Sequence, residues 1–136
     1  MRFLPAMLVG ALSMGTIGLV DAGPAARNGG VERGKAMYRQ YCAVCHGNNG
    51  KGHGTGAVAS KIHPTDLAAL RRINKNVFPA ELIDSALQGA DPVVAHGTPG
   101  MMVWGSIFLA EANGNEAAAA AARRDLIAYI ESIQEK

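Results

Sequence analysis

Aromatic side chains are scarce in this 136-residue chain, which has three Phe, three Tyr and one Trp, so its core is not built mainly on aromatics. Charge of one sign is missing too, since 13 Lys and Arg stand against 11 Asp and Glu for a formal net charge of +2. With no basic stripe to neutralise phosphates, nucleic-acid binding has no electrostatic basis. Cysteine is limited to Cys42 and Cys45, three positions apart. A disulfide between them would close only a tiny loop, so no disulfide framework exists. No stretch alternates apolar and polar residues between turn signals, which argues against strands and for an all-α class. The length suits one domain, alone or behind a removable segment.

The longest apolar run lies at the N-terminus. Arg2 forms a short positive leader, the run extends from Phe3 to Val20, and Val20-Asp21-Ala22 sets small residues where a signal peptidase reads them. Residues 1–22 are therefore expected to be a signal peptide cut after Ala22, giving an exported, periplasmic protein. The alternative is an uncleaved anchor facing the periplasm. Gly10, Ser13, Gly15, Thr16 and Gly18 weaken it, because they leave the run only weakly apolar for a span. Cleavage removes Arg2 and Asp21 together and so preserves the net charge. What remains is a small domain, of a size at which a bound cofactor adds considerably to the stability of the core.

Residues 23–30, Gly-Pro-Ala-Ala-Arg-Asn-Gly-Gly, read as a flexible lead-in with nothing to bury, and 31–136 as the domain. A first helix is expected from about Val31 to Cys42, with Gly34 and Tyr38 on one face and Met37, Tyr41 and Cys42 completing an apolar stripe. Between Gly47 and Gly56 half the positions are glycine, the composition of a loop that passes close to something. Pro64-Thr65-Asp66 resembles a helix start, leading through Leu67 and Leu70 toward Ile73. Another helix begins at Pro79, carries Glu81 in its first turn and Leu82, Ile83, Ala86 and Leu87 along it, and closes at Gly89. Pro92, Pro99 and three glycines make Asp91 to Gly105 an ordered loop. From Asn115 or Glu116 a long helix follows, with Leu126, Tyr129, Ile130 and Ile133 on one buried face.

The informative motif is Cys42-Ala43-Val44-Cys45-His46. Two thiols with two residues between them can add across the two vinyl groups of one haem, and a histidine directly after the second is placed to ligate the iron. A thioredoxin-type redox pair shares the cysteine spacing but sits beside a βαβ pattern that this chain lacks. A zinc site would want a second ligand pair, for which His53, His63 and His96 offer no clean spacing. A plain disulfide leaves His46 without a purpose.

A carrier haem needs a sixth ligand. Once the signal is removed the methionines are Met37, Met101 and Met102, and the nitrogen alternatives are His53, His63 and His96. Met37 lies five residues before Cys42 on the first helix and reads as core. Met101 and Met102 sit in a Pro/Gly loop far along the chain, well placed to cover the other haem face. A thioether is a soft donor that favours ferrous iron, so His/Met ligation raises the potential relative to two histidines. Trp104 can shield the haem edge with its indole nitrogen on a propionate or a carbonyl, or serve as a core anchor.

Taken together, Gly34-x-x-x-Tyr38, Cys42-x-x-Cys45-His46-Gly47, the Gly-rich loop, Gly100-Met101-x-x-Trp104-Gly105 and Leu126-x-x-Tyr129-Ile130 resemble the class I monohaem cytochromes c of the bacterial periplasm. The likeness runs from about Val31 to Ile133. It implies an all-α cytochrome c fold of about four to five helices around one covalent haem c, with the first and last helices crossing at Gly34/Tyr38 and Tyr129/Ile130. It also implies electron transfer between redox partner proteins. In that family a proline usually follows the axial methionine and an aromatic comes two residues later. Counting back from Trp104 selects Met101 and puts Met102 in the proline's place. Members often carry a proline whose neighbourhood gives a backbone carbonyl to the proximal histidine. Here Ile62 to Pro64 is expected to cover that side, which leaves His53 and His63 as loop and surface residues and His96 on the rim of the methionine loop.

The resulting expectation is a one-electron carrier, not an enzyme, with Cys42 and Cys45 holding the haem, His46 and Met101 on the iron and Trp104 beside it. The rivals are a haem subunit relaying electrons within an oxidoreductase complex, a haem sensor with a labile sixth ligand and, more remotely, a thiol-disulfide enzyme. Lys35, Arg39, Lys51, Lys61, Arg71, Arg72 and Lys75 make the first half basic, either as a docking face for an acidic partner or as an ordinary solvated surface.

Overall fold

The computed structural model describes residues 24–89 and 101–135. The expected signal segment with its cleavage point, and Pro92, His96 and Pro99, lie outside the described residues. Within them the regular structure is helical and no strand occurs, in keeping with the all-α reading. Helix α1 (Pro24–Met37) continues through a π-helical turn (Tyr38–Cys42) into α2 (Ala43–His46), and α3 (Thr55–Ser60) comes next. A 3-10 turn (Leu67–Ala69) leads into α4 (Leu70–Ile73), and then come α5 (Ala80–Gln88), α6 (Trp104–Glu111) and α7 (Glu116–Ser132). Among the described residues these make six continuous helical stretches, consistent with the expected all-α fold of about four to five helices.

Residues 23–30, expected as a lead-in with nothing to bury, are instead helical from Pro24, and Gly30 is buried. Proline suits a first helical turn, whereas glycine is a poor helix former. Here tertiary contact overrides propensity: a Cβ on Gly30 would lie 2.8 Å from Asp125 Oδ1, and one on Gly34 would lie 1.9 Å from the Asp125 carbonyl oxygen. The two helices therefore meet at backbone distance. Arg33 fastens the crossing from its exposed side, donating from Nε and a terminal nitrogen to the two Asp125 carboxylate oxygens at 2.6 and 3.1 Å. Below it Leu126 is fully buried, and the Tyr38 and Tyr129 rings sit 5.1 Å apart. The expected crossing of first and last helices at these residues is what the structure shows.

Tyr38 is fully buried and its hydroxyl donates to the Gly47 carbonyl at 2.7 Å. Tyr38→Phe would remove that bond and leave the Gly47 carbonyl with the Gly50 amide, at 3.2 Å, as its donor, and we expect a loss of about 1 kcal/mol in urea unfolding at neutral pH. Burial also raises the Tyr38 pKa above the ordinary tyrosine value. A raised folded pKa means stability that is complete below the unfolded value and declines as pH climbs past about 10. The gap between parent and Tyr38→Phe should therefore narrow in alkaline solution.

Caps end and start the remaining helices as the sequence suggested. Asp66 accepts from the Ala68 and Ala69 amides, Asn115 from the Ala118 amide, and Gly89 closes α5 in the left-handed conformation. Two expected loops are shorter than supposed. Thr55 and Gly56 belong to α3, and Trp104 and Gly105 open α6, whose Phe108 is buried in the core. Burial of Phe108 and the close approach of Gly105 to Gln88 Cα, 3.1 Å from a Cβ built there, explain the second extension.

Candidate functional site

In the π-helical turn the Ala43 amide bonds to the Tyr38 carbonyl, one residue further back than in an α-helix. The extra residue rotates the downstream helix by roughly 100°. Tyr38 can thus pack on α7 while Cys42, four residues later, lines a cavity together with Cys45 and His46.

The glycine-rich loop then folds back over the end of α2. The last carbonyls of a helix lack partners within it, and here the Gly52 amide donates to the His46 carbonyl at 2.8 Å and the Gly54 amide to that of Cys45 at 3.0 Å. A Cβ at Gly54 would lie 2.3 Å from the Val44 carbonyl oxygen. The object that the loop passes closely is the motif's own backbone.

His46 is buried, and its Nδ1 is 3.1 Å from the Thr65 carbonyl oxygen. A carbonyl only accepts, so Nδ1 carries the proton and Nε2 the lone pair of the neutral ring. Such a bond fixes the ring and raises its basicity as a ligand. The carbonyl comes from one residue beyond the expected Ile62 to Pro64 stretch, although Ile62, His63 and Pro64 do line the cavity. Cys42 is buried and neither cysteine is in a disulfide. Burial, with a smaller contribution from Cys45, pushes the Cys42 thiol up to about 12. A thiol-disulfide enzyme needs the opposite shift.

The cavity measures about 770 Å³, within the range of about 300–1,000 Å³ usual for small-molecule sites. Its walls include Leu67, Leu70, Leu87, Leu126 and Ile130, and Met101, Met102 and Trp104 reach it from the segment that opens α6. All five residues singled out in the sequence as cofactor-binding, Cys42, Cys45, His46, Met101 and Trp104, are brought together there. Met101 packs against the core, whereas Met102 is 60% exposed. Met37 packs against the core, and His53 and His63 are exposed, as expected. Trp104, Tyr41 and Phe108 form a mutual ring cluster, with ring centres 5.3 Å apart for Tyr41 and Trp104, 6.0 Å for Trp104 and Phe108, and 5.8 Å for Tyr41 and Phe108. The Tyr41 hydroxyl donates in turn to Glu111. The Thr65 carbonyl and this aromatic cluster are the parts that sequence reasoning missed. Among the described residues no three His, Cys, Asp or Glu side chains gather as an all-protein metal site would require.

An apolar cavity holding two thiols, an oriented imidazole and thioethers suits a covalently attached haem. The helical fold and this donor set define a haem-carrying electron-transfer protein. The chain belongs to the cytochrome c family, whose description, Cytochrome c, matches residues 31–134, and it is of the class I c-type with covalently attached haem c and its iron. It is accordingly a haem-based electron carrier that works between redox partner proteins. No curated protein matches the chain. No solved structure matches it either.

Of the seven basic residues in the first half, four pair with the chain's own carboxylates: Lys35 with Glu32, Lys51 and Arg72 with Glu135, and Arg71 with Glu131. That arrangement favours the ordinary solvated surface over a docking face. Among the described residues no helix is long and apolar enough to cross a membrane.

Proposed function

We propose that this cytochrome c is a periplasmic one-electron shuttle, exported by residues 1–22 with cleavage after Ala22 and folded as a single domain over 31–136. Cys42 and Cys45 hold the ring through thioether bonds, His46 is the proximal ligand, and Met101 is the sixth. When bound, the haem supplies one-electron cycling between ferrous and ferric iron. The chain supplies the rest: the Thr65 carbonyl orients the His46 ring, apolar walls exclude water, and Trp104 covers the edge. One observation carries the reading, namely that both thiols, the Nδ1-protonated imidazole and Met101 border the same cavity. The core packing of Met101 against the 60% exposure of Met102 supports the first methionine as ligand.

The test is the absorption spectrum of periplasmically expressed protein. A ferric thioether-to-iron band is expected in the parent and in Met102→Ala and absent from Met101→Ala. If the band survives Met101→Ala and disappears in Met102→Ala, the ligand is the second methionine. Chains without haem c would sink the whole reading.

A further inference from the structure

Beyond the last turn of α7 the chain makes a compact clasp. Gln134 Nε2 donates to the Leu67 carbonyl at 2.7 Å and to the Ile130 carbonyl at 2.8 Å, while its Oε1 accepts from the Arg71 amide at 2.8 Å. Both donors and the acceptor of this half-buried amide are thus engaged. The Glu135 amide donates to the Ala68 carbonyl at 2.8 Å, and its carboxylate takes Lys51 at 2.7 Å. Two consecutive residues therefore grip the turn over 67–71 from the far end of the chain.

That turn is the direct continuation of Thr65. The Leu67 amide donates to the Gly50 carbonyl at 2.7 Å and Asp66 caps the amides of Ala68 and Ala69. Gly50 thus holds the amide of Leu67 and Gln134 holds its carbonyl. Two residues upstream, the Thr65 carbonyl accepts from His46 Nδ1.

The geometry points to Gln134 as a positioning residue for the proximal imidazole, acting through Leu67 and Thr65, an inference that rests on the proposed ligation of iron by His46. A firm hydrogen bond at Nδ1 raises the basicity of the ligand, and a more basic imidazole favours ferric over ferrous iron. Loosening the clasp therefore moves the reduction potential upward and lets the Nδ1 proton exchange faster.

The experiment compares the haem-loaded full mature chain with three variants, reading the reduction potential and the exchange rate of the His46 Nδ1 proton by NMR. Gln134→Met keeps the length and loses all three hydrogen bonds. Gln134→Glu keeps the acceptor for Arg71 but turns a carboxylate oxygen toward the Leu67 and Ile130 carbonyls, and it serves alone if the first variant does not accumulate. Glu131→Gln breaks the neighbouring Arg71 ion pair and leaves the clasp intact. Both Gln134 variants are expected to show a raised potential and about tenfold faster exchange, the factor for losing one ordinary hydrogen bond, with Glu131→Gln at parental values. Parental potential and exchange in the Gln134 variants, with only a lower melting temperature, would make Gln134 a purely structural residue and overturn the inference. An equal shift in Glu131→Gln would overturn it as well, since general loosening would then suffice. A parent chain that lacks His-ligated haem fails the function itself, whereas a normal parent with silent variants fails the clasp alone.

Discussion

Gly34→Val is expected to abolish the native fold, and Gly34→Ala to lower the melting temperature by roughly 10–20 °C, equivalent to about 3 kcal/mol in a domain of this size. A Cβ at this position would lie 1.9 Å from the Asp125 carbonyl oxygen, 2.5 Å from its carbon and 3.0 Å from the Leu126 nitrogen. All three are backbone atoms of α7, so no side chain can swing aside to make room. The helices must separate, and with that go the buried contact of Tyr38 with Tyr129 and the Arg33–Asp125 pair. A domain with only about 5–15 kcal/mol of stability does not absorb the larger valine. Gly114→Ala calibrates the experiment. That position has a positive φ of 79° but nothing within 4 Å, so it should lose only the roughly 1–2 kcal/mol of left-handed backbone strain. Thermal unfolding measured by circular dichroism reads all three, and equal losses for Gly34→Ala and Gly114→Ala would refute close packing as the cause.

Replacing both Cys42 and Cys45 by serine should eliminate covalent haem, measured as haem c absorbance retained by the denatured chain. A hydroxyl does not add to a vinyl group as a thiol does, so each single variant can keep at most one bond to the ring. The double variant should also unfold more easily, because a group that binds only the folded state stabilises it by mass action. Covalent haem persisting in the double variant would overturn the assignment of these two residues.

Much of the fold and the site was legible from local signals. Cys42-x-x-Cys45-His46 encodes its chemistry in spacing alone, and the α7 periodicity and the caps at Asp66, Gly89 and Asn115 lie within a few residues of the helices they bound. The Thr65 carbonyl was hidden for a simple reason: every residue has a carbonyl, so nothing in the side chain marks the one that will face His46. Trp104 and Gly105 read as loop because Pro and Gly dominate the residues before them, while the burial of Phe108 that extends the helix back to Trp104 depends on Tyr41 and α7. The helical start at Pro24 was hidden likewise, because glycines unfavourable in an isolated helix become necessary where α7 arrives at backbone distance.

By itself the sequence determined the all-helical class and the Cys42-x-x-Cys45-His46 motif, since each depends on residues whose spacing sets their geometry, whereas the pairing of Gly34 and Tyr38 with the last helix was legible only through the resemblance to cytochromes c. The tertiary structure alone decided the π-helical turn that separates Tyr38 from Cys42, the carbonyl that orients His46, and the packing that distinguishes Met101 from Met102. These depend on contacts between segments far apart in the chain, where what matters is which backbone atoms meet and how much of each side chain the meeting buries.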